Sequence, residues 1–210
     1  MESQFSILVR ERALTEHQKA LFERYMHLLL EWNKKHNITA YETEEDIVEY
    51  HFRDSLALAL INDPIMMKNK TIVDVGSGGG FPGIPLKIYY PFLRLVLIEV
   101  NEKKRSFLHL VVKELGLDNV VIEGADWRSF LRHSVGKTID YVVARASLSL
   151  PELLRVFKPS YQHQHTIVVY WASIQWTASS LMEKYVLTVY PYALTHVRRK
   201  LVCFELKNDD

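Results

Sequence analysis

The stretch DVGSGGGFPGIP, residues 74–85, sets an acidic residue ahead of five of the chain's eight glycines and includes two prolines. Glycine loses more conformational freedom on folding than any other residue, so this density implies close approach to the backbone. The apolar run Thr71-Ile72-Val73 comes directly before it. A glycine loop closing a strand suits three guests: a triphosphate, a dinucleotide or a methyl donor. A phosphate loop needs Lys-Ser or Lys-Thr after its last glycine, and here the chain runs Phe81-Pro82-Gly83. The dinucleotide spacing G-x-G-x-x-G occurs at Gly78, Gly80 and Gly83. Pro82 and Pro85, however, remove two of the amides that would cradle a pyrophosphate.

Asp74 followed by Gly76, Gly78 and Gly80 resembles the first motif of the S-adenosylmethionine-dependent methyltransferases with a Rossmann-like fold. That ligand has no phosphate; it needs close backbone approach and a carboxylate to orient its amino acid portion. Glu99 stands 23 residues beyond Gly76, where an acidic side chain accepts from both ribose hydroxyls. The same geometry serves NAD, so it is the prolines that favour the methyl donor. Ala125-Asp126-Trp127 falls where such enzymes hold adenine. Asp126 would accept from the adenine amine and Trp127 would stack on the ring; the other reading is a surface carboxylate and a core indole.

The acceptor chemistry is narrowed by what the strand ends hold. Methylation of exocyclic amines uses an Asn/Asp-Pro-Pro-aromatic segment after the fourth strand, and this chain has Val143-Ala144-Arg145-Ala146-Ser147 there. Methylation at pyrimidine carbon needs a thiolate. Cys203, the single cysteine, lies inside an apolar strand pattern and reads as an inert core thiol. An acceptor with a free lone pair, such as guanine N7, needs no general base, only in-line placement about 3 Å from the methyl carbon. Arg145 closes the fourth strand and is the candidate catalytic side chain. It would bind the donor's carboxylate or a nucleic-acid phosphate or base, unless it forms a surface ion pair.

These residues need elements to hold them. Thr15 and Gln18 form a capping-box pattern opening a helix with apolar residues at Leu21, Tyr25, Leu28, Leu29 and Trp32. Thr43 caps a second helix with Ile47, Val48, Phe52, Leu56 and Ala59 inward, ended by Asp63-Pro64. Beyond residue 71, strands are expected at 72–75, 95–98, 120–122, 139–144 and 167–171. Helices are expected from the glycine loop to Tyr90, from Asn101 to a stop at Gly116, from Ser149 to Lys158, and over 177–184. Runs at 185–189 and 200–206 suit a terminal antiparallel pair. The expectation is an α/β fold: a mostly parallel sheet with helices on both faces over 71–210, with a helical extension, residues 1–70, packed on that core.

Composition bounds the rest. The chain has 210 residues, is 48% hydrophobic and 24% charged, and carries a net charge of +1, so charge alone points to no polyanion. Residues 1–60 hold 7 basic and 11 acidic groups, whereas residues 101–160 hold 10 and 7. One cysteine excludes an internal disulfide framework and suits a reducing cytosol. The start Met1-Glu2-Ser3-Gln4 has no signal-peptide pattern, and the apolar run Leu56 to Ile61 is far too short to span a bilayer. His163 and His165 lack a third ligand partner, so no metal centre is expected.

Trp32-Asn33-Lys34, Asn37-Ile38-Thr39-Ala40 and His51-Phe52-Arg53-Asp54-Ser55-Leu56 precede the loop that continues as Phe-Pro-Gly-Ile-Pro, and Arg145-Ala146 follows. In that order they resemble the bacterial 16S rRNA guanine-N7 methyltransferases, the glucose-inhibited division protein B family, over residues 25–207. The resemblance implies a Rossmann-like methyltransferase fold, S-adenosylmethionine as cofactor, and a guanosine in the decoding-region loop of 16S rRNA as acceptor. It implies donor contacts at Gly76, Phe81, Trp127, Arg128 and Arg145. On the rRNA side the candidates are Asn37, His51, Asp54 and Arg198. His51 and Asp54, three apart on one helical face, touch substrate or lock the helical cap onto the sheet. Arg198, in a basic run with Arg199 and Lys200, meets phosphate or faces solvent. The chain departs from the family around the fifth strand, where Pro159-Ser160-Tyr161 replaces Pro-Gly-Gly and Trp171-Ala172 replaces Lys-Gly. A cytoplasmic monomer acting on 16S rRNA or the small ribosomal subunit, without metal or membrane, is the expectation. The alternatives are a methyltransferase of small molecules and a non-catalytic nucleotide- or RNA-binding module.

Overall fold

The computed structural model describes residues 2–61, 67–134, 138–145, 147–156, 165–178 and 183–206. Its N-terminal part is helical. Helix α1 (Gln4–Glu11) is capped by Ser3, whose side chain accepts from the Ser6 amide. This helix was not among the expected elements, because its cap lies at the very start of the chain. Helix α2 (Glu16–His36) opens with both bonds of the Thr15/Gln18 capping box and ends at Asn37, which takes the left-handed conformation (φ 48°, ψ 55°).

The segment after Thr43 differs from the single helix expected. Helix α3 (Glu44–Ile47) passes into a π-helical turn (Val48–Arg53), and a 3-10 turn (Leu56–Leu60) follows. Val48, Glu49, His51, Phe52 and the run from Asp54 to Leu58 are all buried, so several sides of the segment face protein. A segment buried around most of its circumference is not held to the 3.6-residue stripe of a surface helix.

From Thr71 onward strands and helices alternate: β1 (Thr71–Val75), α4 (Gly83–Tyr89), β2 (Arg94–Ile98), α5 (Glu102–Glu114), β3 (Val120–Glu123), α6 (Trp127–His133), β4 (Tyr141–Ala144), α7 (Leu150–Val156) and β5 (Ile167–Ser173). The chain then forms β6 (Tyr185–Ala193) and β7 (Arg198–Leu206). The seven strands are ordered β3-β2-β1-β4-β5-β7-β6. The first five are parallel, and β7 runs antiparallel to both β5 and β6. This is the mostly parallel α/β sheet with a terminal antiparallel pair that the strand rhythm predicts. Strand β6 continues through Pro191, which the expected boundary stopped short of. It is the edge strand, where a missing amide removes no ladder bond on the open side. Helix α6 was also unexpected. Half of the helix expected over 177–184, residues 179–182, falls outside the described residues, and so do Lys158, His163 and the Asp63-Pro64 stop.

Successive strand residues feed two cores, one on each sheet face. Phe22, Tyr25, Leu29 and Phe52 from the N-terminal helices share one apolar cluster with Ile72, Leu95, Val143 and Leu201. Val73, Val75, Val142 and Val168 pack with Trp127, Phe130 and Leu153 on the other face. The helical N-terminal part therefore sits directly on the sheet. Strand order reverses at β1, which lies between β2 and β4, and the crevice beyond their carboxyl ends is the position where open α/β sheets bind ligands.

Candidate functional site

The glycine loop leaves β1 as a turn bonded almost wholly to itself and to β2. The amides of Gly76 and Ser77 donate to the Ile98 carbonyl at 2.9 and 3.0 Å, and those of Gly80 and Phe81 donate to the Ser77 carbonyl at 2.7 and 2.9 Å. The Gly78 amide donates to Glu99 Oε2 at 2.8 Å and the Gly83 amide to Asp74 Oδ2 at 2.9 Å. Pro82 has no amide hydrogen to offer. A phosphate cradle consists of free, converging N–H groups. Here six loop amides are directed into the protein, a stronger argument against a phosphate guest than the prolines alone. Gly76 has φ +72°, and a Cβ on it would lie 2.3 Å from Ser147 Cβ, so the close approach there is to the chain after β4. At Gly78 (φ +58°) a Cβ would meet only the Gly76 carbonyl, at 4.0 Å, which leaves the backbone open to the crevice.

Asp74 sits beneath this loop rather than on its surface. It is wholly buried, and its Oδ1 has no hydrogen-bond partner among the described residues. Burial pushes its carboxyl up to about 7, against the Gly83 amide and the charge of Arg145, which favour the ionised form. Its contacts tie the end of β1 to the first residue of α4. The other carboxylate is placed differently. Glu99, just past β2, lines the crevice, with Oε2 accepting from Gly78 and Oε1 from the Asn101 amide at 2.8 Å each. Each oxygen retains a further lone pair, so the group is oriented to accept two hydroxyls of a bound sugar.

Asp126 and Trp127 begin α6. Asp126 is the N-cap, accepting from the Ser129 amide and hydroxyl at 3.0 Å each, and these bonds hold its carboxyl below the usual range. Its side chain remains exposed on the crevice wall. Trp127 is buried and stacks on Phe130 at 6.1 Å between centroids while contributing to the same wall. Arg128 is exposed on α6 and does not line the crevice.

The remaining wall comes from the helical N-terminal part and is organised by Arg145. Its Nη1 donates to the Tyr50 carbonyl and to Asp54 Oδ2 at 2.8 Å each, and its Nη2 lies 2.8 Å from His51 Nδ1. Its guanidinium stands 5.3 Å from the Phe81 ring centre, and the same ring stacks on His51 at 4.0 Å with an 11° tilt. Asp54 is fully buried; it also accepts from the Tyr192 hydroxyl at 2.6 Å and faces Arg199 at 3.5 Å. Burial and the Arg145 charge push His51 down to about 2, so its ring is neutral at ordinary pH. His51 Nε2 meets Thr39 Oγ1 at 2.6 Å, and Thr39's amide donates to Asn33 Oδ1 at 2.9 Å.

Together these walls enclose a cavity of about 710 Å³. Of the residues singled out from sequence, it gathers Gly76, Gly78, Phe81, Glu99, Asp126, Trp127, His51 and Arg145. Asp74 and Asp54 lie in the layer behind it, and Asn37 and Arg198 are exposed, at the end of α2 and the start of β7. Sequence reasoning did not single out Thr39, Tyr41 or Ser147 as site residues, though all three line the cavity, as does Lys104 of the basic run Lys103-Lys104-Arg105. The signal for Thr39 was its place in the Asn37-Ile38-Thr39-Ala40 run. Cys203 is buried in β7 with its thiol pushed up to about 12 by desolvation, which suits an inert core residue. Among the described residues no three His, Cys, Asp or Glu side chains converge as a metal site, and no helix is long and apolar enough to cross a membrane.

A family model described as rRNA small subunit methyltransferase G matches residues 18–193. The protein named ribosomal RNA small subunit methyltransferase G of Alkaliphilus metalliredigens is 41% identical over 136 residues, which cover 64% of this chain and 56% of that protein. Its namesake from Chromobacterium violaceum is 48% identical over 109 residues, 52% of this chain and 50% of the other. The chain thus spans about half the length of these curated relatives. Among solved structures, a mutant of MtNAS in complex with S-adenosylmethionine superimposes with a TM-score of 0.58 at 16% identity, covering 95% of this chain and 82% of that one. At that identity the likeness is one of fold.

Proposed function

The chain belongs to the rRNA small subunit methyltransferase G family, and on that basis we propose that it transfers a methyl group from S-adenosylmethionine to N7 of a guanosine in the decoding-region loop of 16S rRNA. The observation that carries the cofactor reading is the pairing of a glycine loop, six of its amides already engaged, with a Glu99 carboxylate held by two amides at the crevice. Such a site suits a nucleoside with a free cis-diol and no phosphate.

The residues present fit that group. Glu99 would accept the ribose hydroxyls, Asp126 the adenine amine, and Trp127 would wall the ring. Gly76 and Gly78 would lie against the amino acid portion. The bound sulfonium supplies an electrophilic methyl group and leaves as a neutral thioether, so the protein's task is positioning and exclusion of water. Among the described residues of the crevice no side chain is placed as a spare base, which favours a ring nitrogen as acceptor. His51 is neutral and its Nδ1 faces a guanidinium; both Glu99 oxygens are hydrogen-bonded; Asp126 is held ionised by Ser129. Guanine N7 has its lone pair in the ring plane and needs no deprotonation. Arg145, tied to the N-terminal wall, would hold the carboxylate of the donor or the acceptor nucleotide. The chain would act in the cytoplasm as a monomer.

Small subunits from cells lacking the gene, incubated with the protein and methyl-labelled S-adenosylmethionine, test this reading. The expected result is one labelled N7-methylguanosine in the decoding region. Label confined to small molecules, or tight NADH binding with none of S-adenosylmethionine, would overturn it.

A further inference from the structure

We propose that the Thr39 hydroxyl is a directed hydrogen-bond donor to an oxygen of the bound ligand, with its direction imposed by the chain Asp54–Arg145–His51. The argument follows the protons. A guanidinium has N–H groups and no acceptor, so the His51 Nδ1 that lies 2.8 Å from Arg145 Nη2 must accept. The ring's one proton is then on Nε2, 2.6 Å from Thr39 Oγ1, and Thr39 accepts it. Thr39 Oγ1 also accepts from the Tyr41 amide at 3.1 Å. Both lone pairs of the hydroxyl are thereby filled, and its own hydrogen is left to donate. Among the described residues the hydroxyl makes no third hydrogen bond, and Thr39 lines the cavity.

The start of the chain is firmly anchored. Asp54 is buried without exposure and Arg145 is only 11% exposed, so the guanidinium's orientation is set from beneath the site. Burial of His51 against Phe81 keeps the ring neutral, which keeps a single proton in the chain. The result is a wall position that accepts a lone pair and refuses an N–H. Two ligand oxygens have the required chemistry: a carboxylate of the methyl donor and a carbonyl of the acceptor base. This inference rests on the reading of the cavity as a methyltransferase site.

The test compares Thr39→Ser, which keeps the hydroxyl, with Thr39→Val, which keeps the shape. Calorimetry with S-adenosylhomocysteine and single-turnover methylation of unmodified small subunits are the two arms. If the partner is the donor's carboxylate, Thr39→Val weakens S-adenosylhomocysteine binding ~10- to 100-fold and Thr39→Ser does not. If the partner is the base, binding is kept and the single-turnover rate falls by a similar factor only in the valine variant. Equal behaviour of the two variants in both arms overturns the proposal. Nitrogen-15 spectra of the wild-type protein decide it independently of folding or ligand. His51 must show Nε2 protonated and Nδ1 free from pH 5 to 8; a proton on Nδ1 sinks the relay even if the methyl donor binds. Failure of wild type to bind S-adenosylhomocysteine, with the relay tautomer present, would instead overturn the cofactor reading and the ligand assignment with it.

Discussion

The Asp54 carboxylate and the Arg145 guanidinium meet at 2.8 Å behind the cavity, joining the N-terminal helical part to the end of β4. Removing one member of a buried ion pair leaves the other charge without compensation. Asp54→Ala is expected to destabilise the fold by about 3–5 kcal/mol. Urea unfolding measures this, and the same variant should bind S-adenosylhomocysteine more weakly, because the freed Arg145 no longer orients His51. Asp54→Ala with unchanged stability would show that the pair is not a structural tie.

Glu99→Gln keeps the size of the side chain but cannot accept at both ends. One amide, of Gly78 or Asn101, then faces an NH2 group. Loss of a charged acceptor of two hydroxyls should weaken S-adenosylhomocysteine binding by about 1.5–3 kcal/mol. Titration calorimetry is the measurement, and retention of full affinity would remove Glu99 from the ribose site.

Gly76 and Ser147 compete for the same space. Gly76→Ala places a Cβ 2.3 Å from Ser147 Cβ at φ +72° and should lower stability by at least about 1–2 kcal/mol from the backbone alone. Adding Ser147→Gly removes the collision and not the dihedral cost, so the double variant should regain part of the loss. A strictly additive double-mutant cycle would contradict this contact.

Asp74 and His51 make opposite contributions to pH dependence. The folded carboxyl of Asp74 is raised to about 7, so the native state holds a proton that the unfolded chain releases near 3.8; stability from this group falls as pH rises through that window. His51 is lowered to about 2, so the unfolded chain takes up a proton near 6.5 that the native state refuses; stability from this group falls as pH drops below 6.5. Between pH 4 and 6.5 the two slopes oppose each other. Asp74→Asn removes the first and should make the protein more acid-labile than wild type in that interval, seen as a steeper loss of Tm with falling pH.

The parts legible in sequence were those set by local chemistry. The Thr15/Gln18 box, the Asn101 cap and the strand rhythm all rest on neighbouring residues, and the structure carries them at those positions. The side to which Asp74 points was not legible. In a parallel strand covered on both faces, polar and apolar alternation is silent, and the carboxylate turned under the loop instead of over it. His51 and Asp54 do share a side, as their spacing implies, yet what they meet is Arg145, 94 and 91 residues further on. No local rule predicts that contact. Helix α6 was hidden because Asp126 was read as a ligand contact or a surface carboxylate, while its side chain also caps the helix.

The glycine loop's internal bonds bear on competition in a crowded cell. A nucleoside triphosphate entering this crevice could place its adenosine as the proposed cofactor does. Its phosphates, however, would give up water and find six of the nearby amides already occupied by Ile98, Ser77, Glu99 and Asp74. That penalty needs no repulsive side chain and no moving part. With six of its amides already engaged, the loop would disfavour phosphate-bearing adenosine compounds relative to a phosphate-free one before any of them arrives.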